Sequence, residues 1–127
     1  MAAGWPCNAQ SVKQSGVSVI GVVPAAGGKW IPITDPTLWA DKPRWAPDGR
    51  TIYFISNRQG AFFDVWGAGF DAANGKAVGD EFRVTRFENP GETIRAAGGS
   101  ELGVSSTRLV LPITETSGSV WVLADGK

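Results

Sequence analysis

Lys42-Pro43-Arg44-Trp45-Ala46-Pro47-Asp48-Gly49-Arg50-Thr51-Ile52-Tyr53-Phe54-Ile55-Ser56 is the stretch that decides the fold. Pro47 presets its own φ, Asp48 caps a turn with its carboxylate, and Gly49 takes the conformation that other residues resist. A β-branched and aromatic run follows at once, so the stretch predicts a turn opening into a strand. Helical signal is almost absent elsewhere. Seventeen glycines and eight prolines leave few windows that could carry an amphipathic helix.

Working outward, residues 17–23, 63–70, 81–87, 108–114 and 119–123 read as strands, each bounded by Gly, Asn, Asp or Pro. They repeat. Val19-Ile20-Gly21-Val22-Val23-Pro24 parallels Val65-Trp66-Gly67-Ala68-Gly69-Phe70, and Ser119-Val120-Trp121-Val122-Leu123 is a third copy. The strand after each turn recurs as Trp30-Ile31-Pro32-Ile33-Thr34-Asp35 and Phe82-Arg83-Val84-Thr85-Arg86. The strand before it recurs as Thr51-Ile52-Tyr53-Phe54-Ile55 and Arg108-Leu109-Val110-Leu111-Pro112. The copies are offset by roughly 45 to 57 residues, near the ~40–50 of a four-stranded blade.

The stretch from Lys42 to Gly60, with Phe63-Asp64-Val65-Trp66 after it, resembles the TolB-like (WD-like) β-propeller repeat. That pattern runs Pro-x-Trp-Ser-Pro-Asp-Gly, a hydrophobic strand, Ser-x-Arg-x-Gly, then an aspartate and an aromatic. Ala46 stands where serine is usual. The third copy has Val104-Ser105-Ser106-Thr107 in place of Pro-Asp-Gly, and the first begins mid-blade near Gly4-Trp5. The tail from Arg108 to Trp121 is similar to the last blade of bacterial proteins that join such a propeller to a regulatory or kinase domain. The resemblance implies an all-β partial β-propeller of about two and three-quarter antiparallel blades. It also implies a bond from Asp64 to the Arg58 loop.

The chain then divides into a blade remnant over 1–35, a full blade over 41–87 and an incomplete blade over 92–127. The full blade has strands at 41–45, 50–56, 63–70 and 81–87. Strands at 5–9, 17–23 and 30–33 precede it, and strands at 92–96, 108–114 and 119–123 follow it. A propeller covers blade faces by stacking them around a ring of about four to eight. So few blades leave apolar flanks exposed, which monomers rarely tolerate. Three resolutions follow: a piece of a longer protein, an open wedge with polar caps, or a protomer that pairs with another copy. Pairing is the favoured expectation, two copies supplying about six blades.

Composition excludes more than it selects. Twelve basic residues balance twelve acidic ones, scattered singly, which gives no electrostatic reason to expect nucleic acid or an anionic membrane. No signal peptide or membrane-spanning segment is legible, and the compartment stays undecided. With no histidine and a single Cys7, Ser-His-Asp and Cys-His catalysis and an intramolecular disulfide are excluded, and a zinc site is nearly so, since only carboxylates remain as ligands. Gly27-Gly28-Lys29 and Gly98-Gly99-Ser100 lack phosphate-loop spacing. No Asp-x-Asp-x-Asp run suggests calcium. No cofactor and no enzyme activity are expected.

Of the six tryptophans, Trp45, Trp66 and Trp121 fall at repeat-equivalent positions and are expected between blades. Trp5 and Trp39 are expected to be exposed. The loops 35–41, 60–62 and 88–91 are expected at one end of the blades, with Trp39, Asp41, Arg58, Phe62 and Glu88 as candidate binding residues for a protein, peptide or glycan. The expected function is a non-catalytic interaction or scaffold module. The alternative is an accessory or sensor segment of a larger bacterial enzyme of peptidase or kinase type.

Overall fold

The computed structural model describes residues 7–14, 17–25, 27–35, 37–58, 62–89, 91–94, 102–115 and 117–124. Their strands are β1 (Cys7–Gln14), β2 (Val17–Pro24), β3 (Ile31–Pro32), β4 (Ala40–Trp45), β5 (Thr51–Ser56), β6 (Asp64–Asp71), β7 (Lys76–Arg83), β8 (Glu92–Thr93), β9 (Gly103–Val104), β10 (Leu109–Val110) and β11 (Thr114–Glu115). The protein is all-β and every strand pair is antiparallel. Trp5, expected to be exposed, lies outside the described residues.

The central sheet has the order β4-β5-β6-β7, a meander. Its first hairpin follows from the deciding stretch. Gly49, at φ 70°, donates its amide to Ala46 C=O at 2.9 Å, and Asp48 Oδ1 accepts the Arg50 amide at 2.9 Å. Pro43 is accommodated because β4 is an edge strand with a bulge between Asp41 and Arg44. Lys42 takes a φ of 57° there, its amide held by Asp41 Oδ1. The last hairpin turns on Asp71, whose carboxylate accepts from the Ala73 amide and from Asn74 Nδ2.

Several strands differ from expectation: the first, read at 5–9, is β1 at Cys7–Gln14, the segment 108–114 is divided into β10 and β11, and β9 has no counterpart in the sequence reading. The fourth strand, read at 81–87, is β7 at Lys76–Arg83. Gly67 pairs with Phe82 and Gly69 with Val78, so residues 79–81 bulge opposite Ala68, with Gly79 at φ 72°. Pairing carries on past the bulge, which makes one interrupted strand of a segment whose middle, Gly79-Asp80, lacks strand formers.

The β1-β2-β3 sheet precedes the central one. After it, β11 pairs with β8 and β10 with β9. The segment 119–123, read as a strand, is paired with nothing among the described strands.

Alternation on β5 explains the core. Ile52 and Phe54 point to one face and join Ile20, Val22, Trp66 and Phe70 in one buried cluster. Ile55 points to the other face and joins Val65, Ile94 and Leu102 in a second cluster. The central sheet is therefore covered on both faces, by β2 on one side and by the C-terminal segments on the other. Each fully buried Ile or Phe contributes roughly 1.5–3 kcal/mol.

A matched set of bonds recurs within each of the first two sheets. Ile20 N–H donates to Thr34 Oγ1 at 3.0 Å, and Ile33 and Thr34 donate back to Ile20 C=O. Val65 N–H donates to Thr85 Oγ1 at 2.9 Å, and Val84 and Thr85 donate back to Val65 C=O. Ile20 thus occupies the place of Val65, one residue off the alignment that the sequence suggests. The fourth-strand pairing of Ile33-Thr34 with Val84-Thr85 agrees with it.

Candidate functional site

The register of the central sheet brings the three predicted loops to one end. Ser56 closes β5 opposite both Ala40, which opens β4, and Asp64, which opens β6. Beyond them, the Phe87 amide returns to Asp64. Of the loop 60–62 only Phe62 lies among the described residues, and of 88–91 all but Pro90.

Arg58 organises this end. Its guanidinium lies over the rings of Phe54 and Trp66, 5.3 and 5.1 Å from their centroids, and pairs with Glu81. Nε donates to Ser56 Oγ at 3.1 Å, and Ser56 Oγ donates to Trp39 C=O at 2.5 Å. Burial pushes the Arg58 pKa down, opposed by the charge of Asp35. Cation–π contact, ion pair and hydrogen bond together pin the chain leaving β5 onto the sheet.

The five candidate residues separate into different roles. Trp39 is half-buried, not exposed. It meets Phe63 edge-on at 5.2 Å and packs against the second cluster, because Ser56 holds its carbonyl down on the sheet. Trp39 and Arg58 therefore share Ser56. Asp41 sits inside β4 with Oδ1 on the Lys42 amide, Phe62 is half-buried beside β6, and Glu88 is exposed.

Among the described residues, the partners of Asp64 lie on β7 and its continuation and not in the Arg58 loop. Its carboxylate, almost wholly buried, accepts from Arg83 Nη2 at 2.6 Å, Thr85 Oγ1 at 2.8 Å and the Phe87 amide at 2.9 Å. The alternation Arg83-x-Thr85-x-Phe87 puts three donors on one side of the continuing strand. That spacing was the available signal, and it points to Asp64 as a clamp within the sheet.

A second feature was not anticipated. A cleft of about 390 Å³ lies between the central sheet and the β9–β10 hairpin, walled by Pro47, Asp48, Tyr53, Val84, Ser106 and Arg108. The hairpin wall is rigid. Ser105 Oγ accepts the amides of Thr107 and Arg108, and the Ser105 amide donates to Arg108 C=O at 2.8 Å. Hydroxyls, one carboxylate and one guanidinium line the cleft beside the apolar side chains of Val84, Val104 and Leu109.

Of the three tryptophans expected between sheets, Trp66 is buried and Trp45 is half-buried against Phe70 at 5.9 Å. Trp121 is not interior: it is 91% exposed, because no strand runs beside it to bury it. Among the described residues no group of three or more His, Cys, Asp or Glu side chains could hold a metal ion. No helix among them is long and apolar enough to cross a membrane. No family model, curated protein or solved structure matches the chain.

Proposed function

We propose that this chain is a non-catalytic interaction module built from propeller-type blades, and that it associates with a second copy of itself. Three observations support reading the sheets as successive blades. The Thr34–Ile20 and Thr85–Val65 bonds repeat, the central sheet is covered on both faces by different neighbours, and no strand order closes into a barrel.

One observation carries the self-association. Val120, Trp121, Val122 and Leu123 are 93, 91, 85 and 99% exposed, and Val78, Phe82 and Val84 on β7 and its continuation are exposed too. Large apolar side chains left exposed on an unpaired segment and on an edge strand mark an interaction site. The loop end, with Arg58 and Trp39 fixed beneath it, then offers Asp35, Thr37, Glu88 and Asn89 to a protein, peptide or glycan partner.

Light scattering on a dilution series tests the pairing. The reading expects a mass of twice 13.4 kDa at micromolar concentration, and a stable folded monomer throughout the series would remove it.

A further inference from the structure

The unpaired segment and the part of the central sheet's second face that the C-terminal segments leave open, around Phe82 and Val84, have complementary properties. Ser117-Gly118-Ser119-Val120-Trp121-Val122-Leu123-Ala124 has no charge, has strong strand propensity over its middle, and is exposed throughout. By the repeat, Val120-Trp121 corresponds to Val65-Trp66, the start of the best-buried strand in the molecule.

The backbone leaves a vacancy of matching kind. Arg108 C=O accepts from Ser105, so residues 108, 110, 112 and 114 turn their amides and carbonyls toward β9 and β8. Pro112, which has no N–H to give, falls in that inward set and leaves the other edge intact. Leu109, Leu111, Ile113 and Glu115 turn theirs to the opposite edge, where none of the described strands pairs.

The first two sheets indicate what such a strand would cover. There, Ile20 and Val22 of β2 share one buried cluster with Ala40 of β4, Ile52 and Phe54 of β5, and Trp66, Ala68 and Phe70 of β6. The corresponding strand of the C-terminal sheet would lie over the opposite face of the central one. That face is the one on which Tyr53 meets Phe82 edge-on at 6.4 Å, and on which Phe82 and Val84 are 45 and 42% exposed.

Resting on the self-association proposed above, we infer that residues 119–123 are a donor strand for a second copy of this chain. They pair along the free edge of that copy's residues 109–115 and lay Trp121 on its Tyr53–Phe82–Val84 face. The occupant is a second copy because each molecule carries both the unmated donor and the unmated seat. A two-fold exchange fills both at once and buries an uncharged strand on an apolar seat. In the isolated chain, only residues 116–118 separate the donor from β11, yet the donor stays off its own seat.

Complementation of two variants tests this. Trp121→Asp removes the donor and Val84→Asp spoils the seat, and both side chains lie outside the core, so each folded monomer survives. Each variant alone is expected to raise the dimer dissociation constant roughly 30-fold or more, as loss of an interface anchor does. Mixed together, one carrying a mass tag, they are expected to recover a heterodimer through the single intact donor and seat. Dimers unaffected by either substitution would overturn the strand exchange and leave self-association by another surface. A wild-type monomer at every concentration would overturn both. Variants that weaken the dimer singly with no recovery on mixing would assign the seat to the molecule's own strand.

Discussion

Asp64 Oδ2 accepts a hydrogen bond from Arg83 Nη2 at 2.6 Å, with both side chains nearly withdrawn from water. The pair joins the first residue of β6 to the last of β7, and Thr85 and the Phe87 amide complete the acceptor sites on Oδ1. Removing one partner of a buried pair leaves the other charged and unsatisfied. Asp64→Ala should therefore cost about 3–5 kcal/mol, and Asp64→Asn somewhat less because hydrogen-bond capacity is retained. Urea denaturation followed by tryptophan emission measures it. A loss under about 1 kcal/mol for Asp64→Ala would contradict the clamp.

Arg58 should be more than a charge. With the guanidinium over the rings of Phe54 and Trp66, Arg58→Lys keeps a charge for the ion pair to Glu81 and loses the broad guanidinium contact with the rings. A loss of about 1–2 kcal/mol is expected for Lys, and a further 1–2 kcal/mol for Ala, which also strands Glu81. Equal stability of Arg58→Lys and wild type would show that the rings contribute nothing to holding it.

The contrast between these two residues shows what the sequence made legible. The turn at Pro47-Asp48-Gly49 and the strand after it follow from local chemistry, and so does the β4–β7 meander, because each hairpin is short. Asp64 was legible as part of a pattern, yet its partners come from a strand whose position the bulge at residues 79–81 shifts. Neither Gly79 nor Asp80 signals a strand by propensity, so β7 was placed too far along the chain. Trp121 misled for a related reason. Its pattern is that of a buried strand, but burial depends on a neighbour that propensity does not supply. The cleft by Tyr53 and Ser105 arises from packing between segments distant in sequence and leaves no local trace.

Glycines on β6 should respond unequally to alanine. A Cβ at Gly67 would run into the Phe82 ring, which is half exposed and can swing outward. A Cβ at Gly69 would meet Val78 C=O at 2.7 Å, a backbone atom held in the ladder. Gly69→Ala is expected to cost about 1–3 kcal/mol and Gly67→Ala less than about 1 kcal/mol. Thermal melts of the two variants decide it, and the reverse order would place the rigid contact at Phe82.

Acid sensitivity should come partly from two turn aspartates. Asn74 Nδ2, and then the amides of Asn74 and Ala73, hold the Asp71 carboxyl below its ordinary value of 3.8. The Thr37 hydroxyl and amide, with a smaller contribution from Arg58, do the same for Asp35. A carboxylate whose pKa is lowered by folding contributes stability above its unfolded pKa, near 3.9, and that contribution disappears as pH falls through the lower folded value. Wild type should therefore lose more in melting temperature below about pH 4 than Asp71→Asn or the double variant Asp35→Asn, Asp71→Asn. The three curves should be separated at pH 7 and draw together near the acid limit. Curves that stay parallel from pH 7 down to the acid limit would mean that these carboxylates are bonded no better in the turns than in the unfolded chain.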